Sequence, residues 1–451
     1  MGNGAAAAEA VSALRTSGYE GEIHLFAENR HAPYNPMLGT YLVSGAITLE
    51  QAFPFGDERG FYGANRVDAH LGQAVVRLDA VEQILTTKGG SEYRYDRCLV
   101  ASGARPSVPP ILGLREALAQ NEERRVFTIQ TLDDALALKR AVEALLTSDR
   151  RDLGRRRPNG QSPNGRVAGS GGGKAPRAAV IGASFAGVKV AAALHEMGLR
   201  VCLVEREPHI LPLSAHPDCA RLMETHLLEE GYELRLGAAL AGVQTDSGGT
   251  VRLDFGALPG AADPGGAGGT ACEESPTQED VDLVVVCTGS RPALSFLTPG
   301  QVDVGDGILV DEQMRSNIAT LYAAGDVAQG KNLLSGRHEI IGLWSSARYQ
   351  GRAAGRSLAG APSDYRGSVP HNITHVGKML FASIGCLKDY DRMAACAEGD
   401  AFQVRVWQDE RLAGINLLNC CLSAGAIKQA LLRAATGAVS ETEATWISFN
   451  G

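Results

Sequence analysis

A glycine turn between an apolar strand and a helix carries the strongest chemical signal in this sequence. Residues 178–181 are apolar, and Gly182, Ser184 and Gly187 follow at the positions of a GxGxxG turn. Such a turn places a dinucleotide pyrophosphate against the backbone amides that begin the next helix. Ser184 replaces the second glycine of the pattern, which narrows the approach of the phosphates. The turn predicts a dinucleotide site, whereas the alternative is an ordinary strand-to-helix turn.

The strand after this helix, residues 199–204, delivers Glu205 roughly 20 residues beyond the turn, where an acid grips the ribose of an adenosine. A carboxylate accepts hydrogen bonds from a free 2′-hydroxyl and repels a 2′-phosphate, so Glu205 favours NADH. The neighbouring Arg206 could hold a 2′-phosphate with both guanidinium arms, which keeps NADPH possible.

The same pattern recurs at the start of the chain, where Gly2, Gly4 and Ala7 precede an alanine-rich helix. A strand over residues 22–26 then leads to the acid Glu28. Two copies predict two bound dinucleotides. No strand precedes Gly2, although the turn needs a parallel strand beneath it. Either the sequence starts too late, or this site is built on an incomplete sheet.

The remaining patterns indicate the elements that position these turns. Residues 66–100 alternate apolar and polar side chains around a Gly-Gly turn, which predicts a hairpin or a small antiparallel sheet. Residues 132–146 have helical spacing. Residues 150–176 are too poor in apolar side chains to fold and are predicted to be a disordered insertion, and residues 256–280 a surface loop. A late helix is predicted over residues 424–435.

Size and charge exclude several classes of function. A chain of 451 residues predicts two or three domains. Its net charge of −8, without a basic stripe, argues against nucleic acid as a partner. Apolar runs are far shorter than the ~18 residues of a membrane span, and no targeting segment is evident, so we expect a cytoplasmic protein that does not interact with membranes.

Three further motifs follow in order: residues 100–106 (VASGARP), residues 286–292 (VCTGSRP) and residues 321–326 (LYAAGD). With the two glycine turns, they make the chain resemble the FAD-dependent pyridine nucleotide-disulfide oxidoreductase family. The resemblance is greatest to its ferredoxin or rubredoxin reductase-like and coenzyme A-disulfide reductase or NADH oxidase-like branches. It covers nearly the whole chain apart from the two insertions.

The resemblance implies an α/β fold with two Rossmann-like domains, one for FAD and one for NAD(P)H, and a C-terminal α+β interface domain that forms a homodimer. The FAD domain would span residues 1–125 and 301–361, the NAD(P)H domain residues 126–300, and the interface domain residues 362–451. The bound cofactors implied are FAD and NADH, with NADPH possible.

The family motifs also imply the residues of each site. At FAD these are Gly2, Gly4, Ala7, Glu28, Ser102, Gly103, Arg105, Gly325, Asp326 and Trp344. At NAD(P)H they are Gly182, Ser184, Gly187, Glu205 and Gly289. Asp326 would hydrogen-bond the ribityl chain. Trp344, at the start of a helix over residues 343–358, would lie by the isoalloxazine ring, unless it is simply a core residue.

Two departures from the family change the expected chemistry. Its disulfide reductases carry a redox cysteine after the first ribose acid, but residues 31–41 contain none and the first cysteine is Cys98. The family also often pairs a flavin-side lysine with a glutamate two residues after the last glycine of the NAD turn. Here Lys189 holds the glutamate's position, which predicts a catalytic role beside the nicotinamide. A solvent-facing helix lysine is the alternative.

The other reactive side chains predict less. Nine cysteines show no CxxC spacing and are expected to be reduced, and Cys386 to be a packing residue. The adjacent Cys420 and Cys421 leave a second role open. His371 and His375 have a metal-compatible spacing on a helix, but their surroundings favour a strand, so no metal site is predicted.

The sequence therefore predicts an FAD-dependent NAD(P)H oxidoreductase that passes a hydride from NAD(P)H to FAD. The acceptor is expected to be a redox protein, a small molecule or oxygen, reached without a cysteine relay. Two alternatives stay open. One is a tailoring flavoenzyme that acts on a specialised metabolite. The other is a non-catalytic dinucleotide-binding redox sensor.

Overall fold

The structure is a computed structural model that describes residues 1–57, 59–120, 124–154, 175–256, 277–363, 365–409 and 411–420. Most of the two predicted insertions, the predicted helix over residues 424–435 and Cys421 lie outside the described residues.

The described chain contains the following helices and strands. The α-helices are α1 (Ala5–Thr16), α2 (Gly39–Ser44), α3 (Leu114–Ala119), α4 (Leu132–Gly154), α5 (Phe185–Glu196), α6 (Pro217–Glu229) and α7 (Trp344–Leu358). The strands are β1 (Ile23–Ala27), β2 (Val67–Leu71), β3 (Val75–Asp79), β4 (Ile84–Thr87), β5 (Glu92–Arg94), β6 (Cys98–Val100), β7 (Ala104–Pro106), β8 (Val126–Thr128), β9 (Arg177–Ile181), β10 (Arg200–Val204), β11 (Glu233–Arg235), β12 (Ala239–Thr245), β13 (Val251–Gly256), β14 (Gln278–Val281), β15 (Leu283–Val286), β16 (Ser290–Pro292), β17 (Ile308–Leu309), β18 (Leu321–Ala323), β19 (Ala328–Lys331), β20 (His338–Glu339), β21 (His371–Val376), β22 (Met379–Gly385), β23 (Arg392–Glu398), β24 (Ala401–Gln408) and β25 (Arg411–Leu418).

A five-stranded parallel sheet carries the second glycine turn. Its strand order is β11-β10-β9-β15-β8. All four residues of β15 are buried, as are the last four residues of β9 and of β10. Such continuous apolar strands are typical of a parallel sheet that is covered on both faces. The central strand β9 therefore delivers Gly182 at the carboxyl edge, where dinucleotides bind in open α/β sheets.

The sheet around the first glycine turn is divided in two. One parallel pair is β1–β2 and the other is β6–β18. Met1 and Gly2 lie between them: the Met1 amino group donates to the Leu99 carbonyl at 2.8 Å, and the Gly2 amide donates to the Phe26 carbonyl at 2.8 Å. Met1 and Gly2 thus lie in the place of a central strand. This is the strand whose absence before Gly2 led to the prediction of an incomplete sheet.

Helices α1 and α7 pack closely against each other in the same domain. A Cβ on Gly351 would lie 2.2 Å from the Ala6 carbonyl oxygen, and one on Gly355 would lie 2.3 Å from the Ala10 carbonyl oxygen. The buried Glu9 carboxylate accepts hydrogen bonds from Arg348 and also pairs with Arg352 of α7. Glycine on α7 therefore lets the last helix of the domain lie directly on the first.

The two segments that cross between the domains pair with each other. β7 and β16 are antiparallel, with Arg105 opposite Arg291. The Ser102 hydroxyl adds a hydrogen bond to the Ala293 carbonyl at 3.0 Å. The motifs at residues 100–106 and 286–292 therefore form one antiparallel ribbon that joins the two glycine turns.

The described chain also contains a small mixed sheet, β17-β19-β20, and three antiparallel sheets. Of the antiparallel structure predicted over residues 66–100, only β3, β4 and β5 form an antiparallel sheet, because β2 and β6 pair in parallel with β1 and β18. Strands β12, β13 and β14 form a second antiparallel sheet. Strands β21-β22-β25-β24-β23 form a five-stranded sheet near the C-terminus. This architecture confirms the predicted α/β class with two Rossmann-like domains and a C-terminal sheet domain.

Two predicted boundaries were wrong by a few residues. Helix α4 continues to Gly154, so residues 150–154 of the predicted disordered insertion are helical. Arginine and leucine favour a helix, and this preference extends α4 past the last predicted turn. Strand β14 begins at Gln278 inside the predicted loop, because residues 278–281 pair with β13 as a hairpin.

Candidate active site

The second glycine turn has the backbone geometry that a phosphate-binding turn needs. Gly182 has φ +98°, and a Cβ there would lie 2.6 Å from the Cys287 carbonyl oxygen. A Cβ on Gly187 would lie 1.9 Å from the Gly182 carbonyl oxygen. Any other residue at either position would collide with backbone. The turn therefore closes tightly enough to present the N-terminus of α5 to a ligand.

Ser184 acts as the N-cap of α5. Its hydroxyl oxygen accepts from the Gly187 amide at 3.4 Å and donates to the Cys287 carbonyl at 3.0 Å. Serine is a favoured N-cap because its oxygen satisfies one of the free amides of the first turn. This residue thus fixes the turn to the end of β15 and leaves the remaining N-terminal amides of α5 for an anion.

Glu205 lies beside this turn at the end of β10. Its carboxylate accepts from the Ala183 amide at 2.7 Å and from the Glu207 amide at 3.0 Å. Arg206 is exposed, and its guanidinium pairs with Glu207 at 3.1 Å. The acid is therefore held in place by backbone, and the neighbouring cation has a carboxylate partner of its own.

The first glycine turn repeats this geometry. Gly2 has φ +105°, and a Cβ there would lie 2.0 Å from the Ala101 carbonyl oxygen. Gly4 is the N-cap of α1, and a Cβ at this position would meet no described atom within 4 Å. Ala7 is buried on the first turn of α1. The start of α1 is therefore open at Gly4, where the predicted phosphates would approach.

The acid of the first site has a basic partner from the domain crossing. Glu28 follows β1, and Arg105 of β7 donates to its carboxylate at 2.6 Å. Both side chains are exposed. Gly103, two residues before Arg105, has φ +64°, and Gly289 in the second crossing has φ +93°. The structure therefore brings together Glu28 and Arg105, which lie far apart in the sequence.

Two polar groups near the start of α7 have no hydrogen-bond partner among the described residues. Asp326 follows Gly325, and burial raises the pKa of its carboxyl group above the ordinary value. The indole N–H of Trp344 is buried and unpaired. The Asp326 carboxylate lies 3.8 Å from where a Cβ on Gly342 would be. Such groups fit a polar cofactor, because a buried group without a partner is costly.

Lys189 of α5 contacts α2, a helix from the N-terminal part of the sequence that packs on α4 and α5. Its ammonium donates to the Tyr41 hydroxyl at 2.7 Å and lies 4.7 Å from the centre of the Tyr41 ring. Tyr41 belongs to α2, in the segment where disulfide reductases would carry their cysteine. The structure therefore places this lysine in an exposed contact between α5 and α2.

No cysteine of the described chain lies in the segment of residues 31–41, where disulfide reductases of the family carry a redox cysteine. Cys98, Cys202, Cys219, Cys287 and Cys420 are buried, and Cys386 and Cys396 are exposed in the C-terminal region. Burial raises the pKa of Cys287 to about 12, so it is a neutral thiol at physiological pH. His371 and His375 lie four residues apart on β21, too far along a strand to share one ion.

Three positions that the sequence interpretation did not select contribute to the site. The buried Asn3 side chain donates to the His31 carbonyl at 2.8 Å and accepts from the Tyr62 hydroxyl at 2.9 Å. Gln350 of α7 accepts from the Gly325 amide at 2.8 Å. A polar residue between two turn glycines was the only sequence signal for Asn3. The third position is Tyr41, the partner of Lys189. No sequence signal pointed to Tyr41 or Gln350, because the residues that they contact are distant in the chain.

The sequence profile of the family described as "Pyridine nucleotide-disulphide oxidoreductase" matches residues 1–351. Among similar proteins, an NADH-dependent phenylglyoxylate dehydrogenase subunit epsilon of Aromatoleum evansii is 28% identical over 386 residues, covering 85% of this chain and 78% of that protein. A rubredoxin-NAD(+) reductase of Ectopseudomonas oleovorans is 25% identical and covers 95% of this chain and 97% of that protein.

Solved structures share the fold. The structure of a covalent putidaredoxin reductase–putidaredoxin complex superposes with a TM-score of 0.78 at 21% identity, covering 96% of this chain and 92% of that chain. A water-forming NADH oxidase from Lactobacillus brevis bound to NADH superposes with a TM-score of 0.76 at 17% identity, covering 95% of this chain and 89% of that chain.

Among the described helices, none is both long and apolar enough to cross a bilayer.

Proposed function

The chain belongs to the pyridine nucleotide-disulphide oxidoreductase family, and from this premise we propose that it delivers electrons from NADH, through FAD, to a small redox protein. It is an FAD-dependent NAD(P)H oxidoreductase. When bound, FAD supplies the capacity to accept a hydride, which no side chain of this protein offers. The protein's own contribution is to bind and orient the two cofactors and to set the charge around them.

The observation that carries this proposal is the contact between Lys189 and Tyr41. It brings the helix that follows the NAD turn against α2, which lies in the segment after the first ribose acid. A tyrosine with a lysine partner stands there, and residues 31–41 contain no thiol. This arrangement supports a direct route between cofactors that needs no cysteine relay.

The two glycine turns have separate tasks in the proposal. The turn with Gly2 and Gly4, together with Glu28 and Arg105, would hold the adenosine diphosphate part of FAD. Asp326 would accept a hydrogen bond from its ribityl chain, and Trp344 would offer its unpaired indole N–H near the ring. The turn with Gly182, Ser184 and Gly187 would hold NADH, and Glu205 would bind its ribose. Gly289 would close that site.

The choice of a redox protein as acceptor rests on the share of each relative's length that this chain matches. The two rubredoxin-NAD(+) reductases, from Ectopseudomonas oleovorans and Pseudomonas putida, are each matched over 97% of their length. An NADH oxidase of Methanocaldococcus jannaschii is matched over 75% of its length. We therefore place a redox protein before oxygen or a small molecule.

An anaerobic acceptor screen tests this function. The purified protein should carry a flavin spectrum that NADH bleaches. A rubredoxin or a [2Fe–2S] ferredoxin added without oxygen should reoxidise the reduced flavin faster than a low-molecular-weight disulfide does, and faster than air-saturated buffer does in a separate mixing experiment. Flavin that NADH leaves oxidised would contradict the proposal. Turnover with a small organic substrate alone would favour the tailoring enzyme.

Domain limits and assembly complete the proposal. We place the FAD domain at residues 1–125 and 301–361, the NAD(P)H domain at 126–300 and a dimerisation domain at 362–451, in a cytoplasmic homodimer. Strand β23 supports the dimer: all seven of its residues are exposed, and its outer edge pairs with no strand of the described chain. Light scattering after size exclusion would measure the mass, and a monomer would contradict the assembly.

A further inference from the structure

Three metal-ligating side chains converge on one face of the β1–β2 pair, away from the glycine turns. His24 lies on β1, and Asp68 and His70 lie on β2. In the parallel register His24 is opposite Asp68 and Phe26 is opposite His70. Since alternate residues of a strand share a face, all three side chains project from the same side of the sheet.

Their ligating atoms form a nearly equilateral triangle. His24 Nδ1 lies 3.1 Å from Asp68 Oδ2 and 3.2 Å from His70 Nε2. His70 Nε2 lies 3.3 Å from the same Asp68 oxygen. In a tetrahedral zinc site with bonds near 2.0 Å, neighbouring ligand atoms are about 3.3 Å apart. An ion above this triangle would therefore reach all three atoms at ordinary bond lengths.

Hydrogen bonding alone does not explain the triangle. With Asp68 ionised, both imidazoles can donate to its shared oxygen, but their two N–H groups then face each other at 3.2 Å. If His70 instead donates to His24 Nδ1, that nitrogen has no proton left for Asp68, and two acceptors face each other at 3.1 Å. A cation satisfies all three lone pairs at once.

We propose that His24, Asp68 and His70 bind a divalent first-row metal ion of the zinc class, with water as the fourth ligand. Two neutral imidazoles and one carboxylate suit zinc, and sites with three protein ligands keep the fourth position open. The Asp68 side chain is 63% exposed, which leaves room for that water.

The surroundings hold His70 in the orientation that binding requires. The His70 ring stacks on Phe26, with 4.4 Å between ring centres, and only 15% of the side chain is exposed. The Glu22 carboxylate lies 3.7 Å from His24 Nε2, the nitrogen that faces away from the triangle. This distance exceeds that of a hydrogen bond and the Glu22 side chain is 94% exposed, so the stacking of His70 on Phe26 is the contact that orients the site. The ion would join β1 to β2, and β1 leads directly to Glu28.

Zinc titration of the FAD-loaded full chain tests this site. Calorimetry should detect a site for one Zn²⁺ per chain in the wild type and in H375A, which removes an exposed histidine from the C-terminal sheet. H24A and D68N should each weaken that site by more than about tenfold, since loss of an outer partner alone costs roughly 10- to 100-fold. D68N keeps the side-chain shape, so its unchanged flavin spectrum and melting temperature separate a lost ligand from a lost fold.

Cobalt identifies the donor atoms. Co²⁺ at this site should show d–d bands without thiolate charge-transfer absorption, because the ligands are nitrogen and oxygen. Absence of zinc binding by the wild type, equal affinity in the wild type, H24A and D68N, or thiolate bands from the only bound Co²⁺ would each overturn the proposal.

Discussion

The ammonium group of Lys189 lies 2.7 Å from the phenolic oxygen of Tyr41, and this hydrogen bond joins the helix of the NAD turn to α2. The same helix α2 receives a second lysine from another direction, because Lys139 of α4 donates to the Leu42 carbonyl at 3.1 Å. Two cations thus contact one short helix. Only Lys189 comes from α5, the helix that begins at the predicted NAD(P)H turn.

We expect K189Q to slow the reduction of bound flavin by NADH about tenfold, the equivalent of roughly 1.4 kcal/mol of barrier, because it removes a positive charge at the contact between α5 and α2. Anaerobic stopped-flow measures that rate constant and, from its NADH dependence, the dissociation constant. K139Q is the matched control and should leave the rate constant unchanged. Equal effects of the two variants would mean that Lys189 only supports α2.

Selectivity for the nicotinamide cofactor should depend on Glu205. We expect a larger kcat/KM with NADH than with NADPH, and E205A should reduce that ratio about tenfold or more, since hydrogen bonds to charged groups contribute roughly 1.5 to 3 kcal/mol. The wild type should prefer NADH because Arg206 pairs with Glu207 at 3.1 Å. A wild-type preference for NADPH would show that Arg206 dominates instead.

Asp326 should destabilise the cofactor-free protein. Burial raises the pKa of its carboxyl group, so its folded pKa lies above its unfolded pKa. Such a group contributes stability below the unfolded pKa, and this contribution is lost as pH rises through the folded pKa. At neutral pH, D326N should therefore raise the stability of the FAD-free chain by about 1 to 2 kcal/mol, because it removes a negative charge that desolvation disfavours at this position.

The same variant should bind FAD more weakly, because it loses the charged acceptor proposed for the ribityl chain. Thermal melts of FAD-free protein and FAD titrations measure the two effects separately. The stability gain should shrink as the pH falls into the acid range. A gain that does not depend on pH would show that charge at Asp326 is not its cause.

Reduction should not involve a thiol. Anaerobic titration should consume about two electrons per FAD, which is the capacity of the flavin itself. The C420S/C421S double variant should reduce the acceptor as fast as the wild type does. Uptake near four electrons, or a double variant that reduces flavin but not the acceptor, would reveal a dithiol relay.

The contact between α1 and α7 should tolerate no added methyl group. G351A would place a Cβ 2.2 Å from the Ala6 carbonyl oxygen, so we expect a loss of about 1 to 3 kcal/mol in the free energy of unfolding and weaker FAD binding. G63A is the control, because a Cβ there would meet no described atom within 4 Å. Denaturant unfolding measures both variants, and equal stabilities would contradict the close approach.

The sequence predicts well the features that local chemistry determines. Gly2 and Gly182 have positive φ because each turn must close beneath a helix, and a motif records such a requirement directly. Glu28 and Glu205 directly follow β1 and β10, where the motif places an acid for a ribose. The family resemblance extends this local information to the order of domains along the chain.

Contacts between distant segments could not be predicted from the sequence. Nothing near Tyr41 indicates that Lys189 is its partner, because the two are far apart in the sequence and meet only through the packing of α2 on α5. The cluster of His24, Asp68 and His70 was not predicted from the sequence for a related reason. Its ligands lie on two strands that are far apart in the sequence, and the parallel register alone brings them together.

The packing of α1 on α7 also has a consequence for biosynthesis. Arg348 binds Glu9 across a separation of 339 residues, so the first helix cannot meet its partner until most of the chain has left the ribosome. At roughly 5 to 20 residues per second, that delay is about 15 to 70 s. The parallel sheet from β8 to β15 is complete earlier. The domain that contains this sheet therefore has time to fold first. During that time helix α1 lacks its partner α7, and its alanine-rich surface is accessible to chaperones.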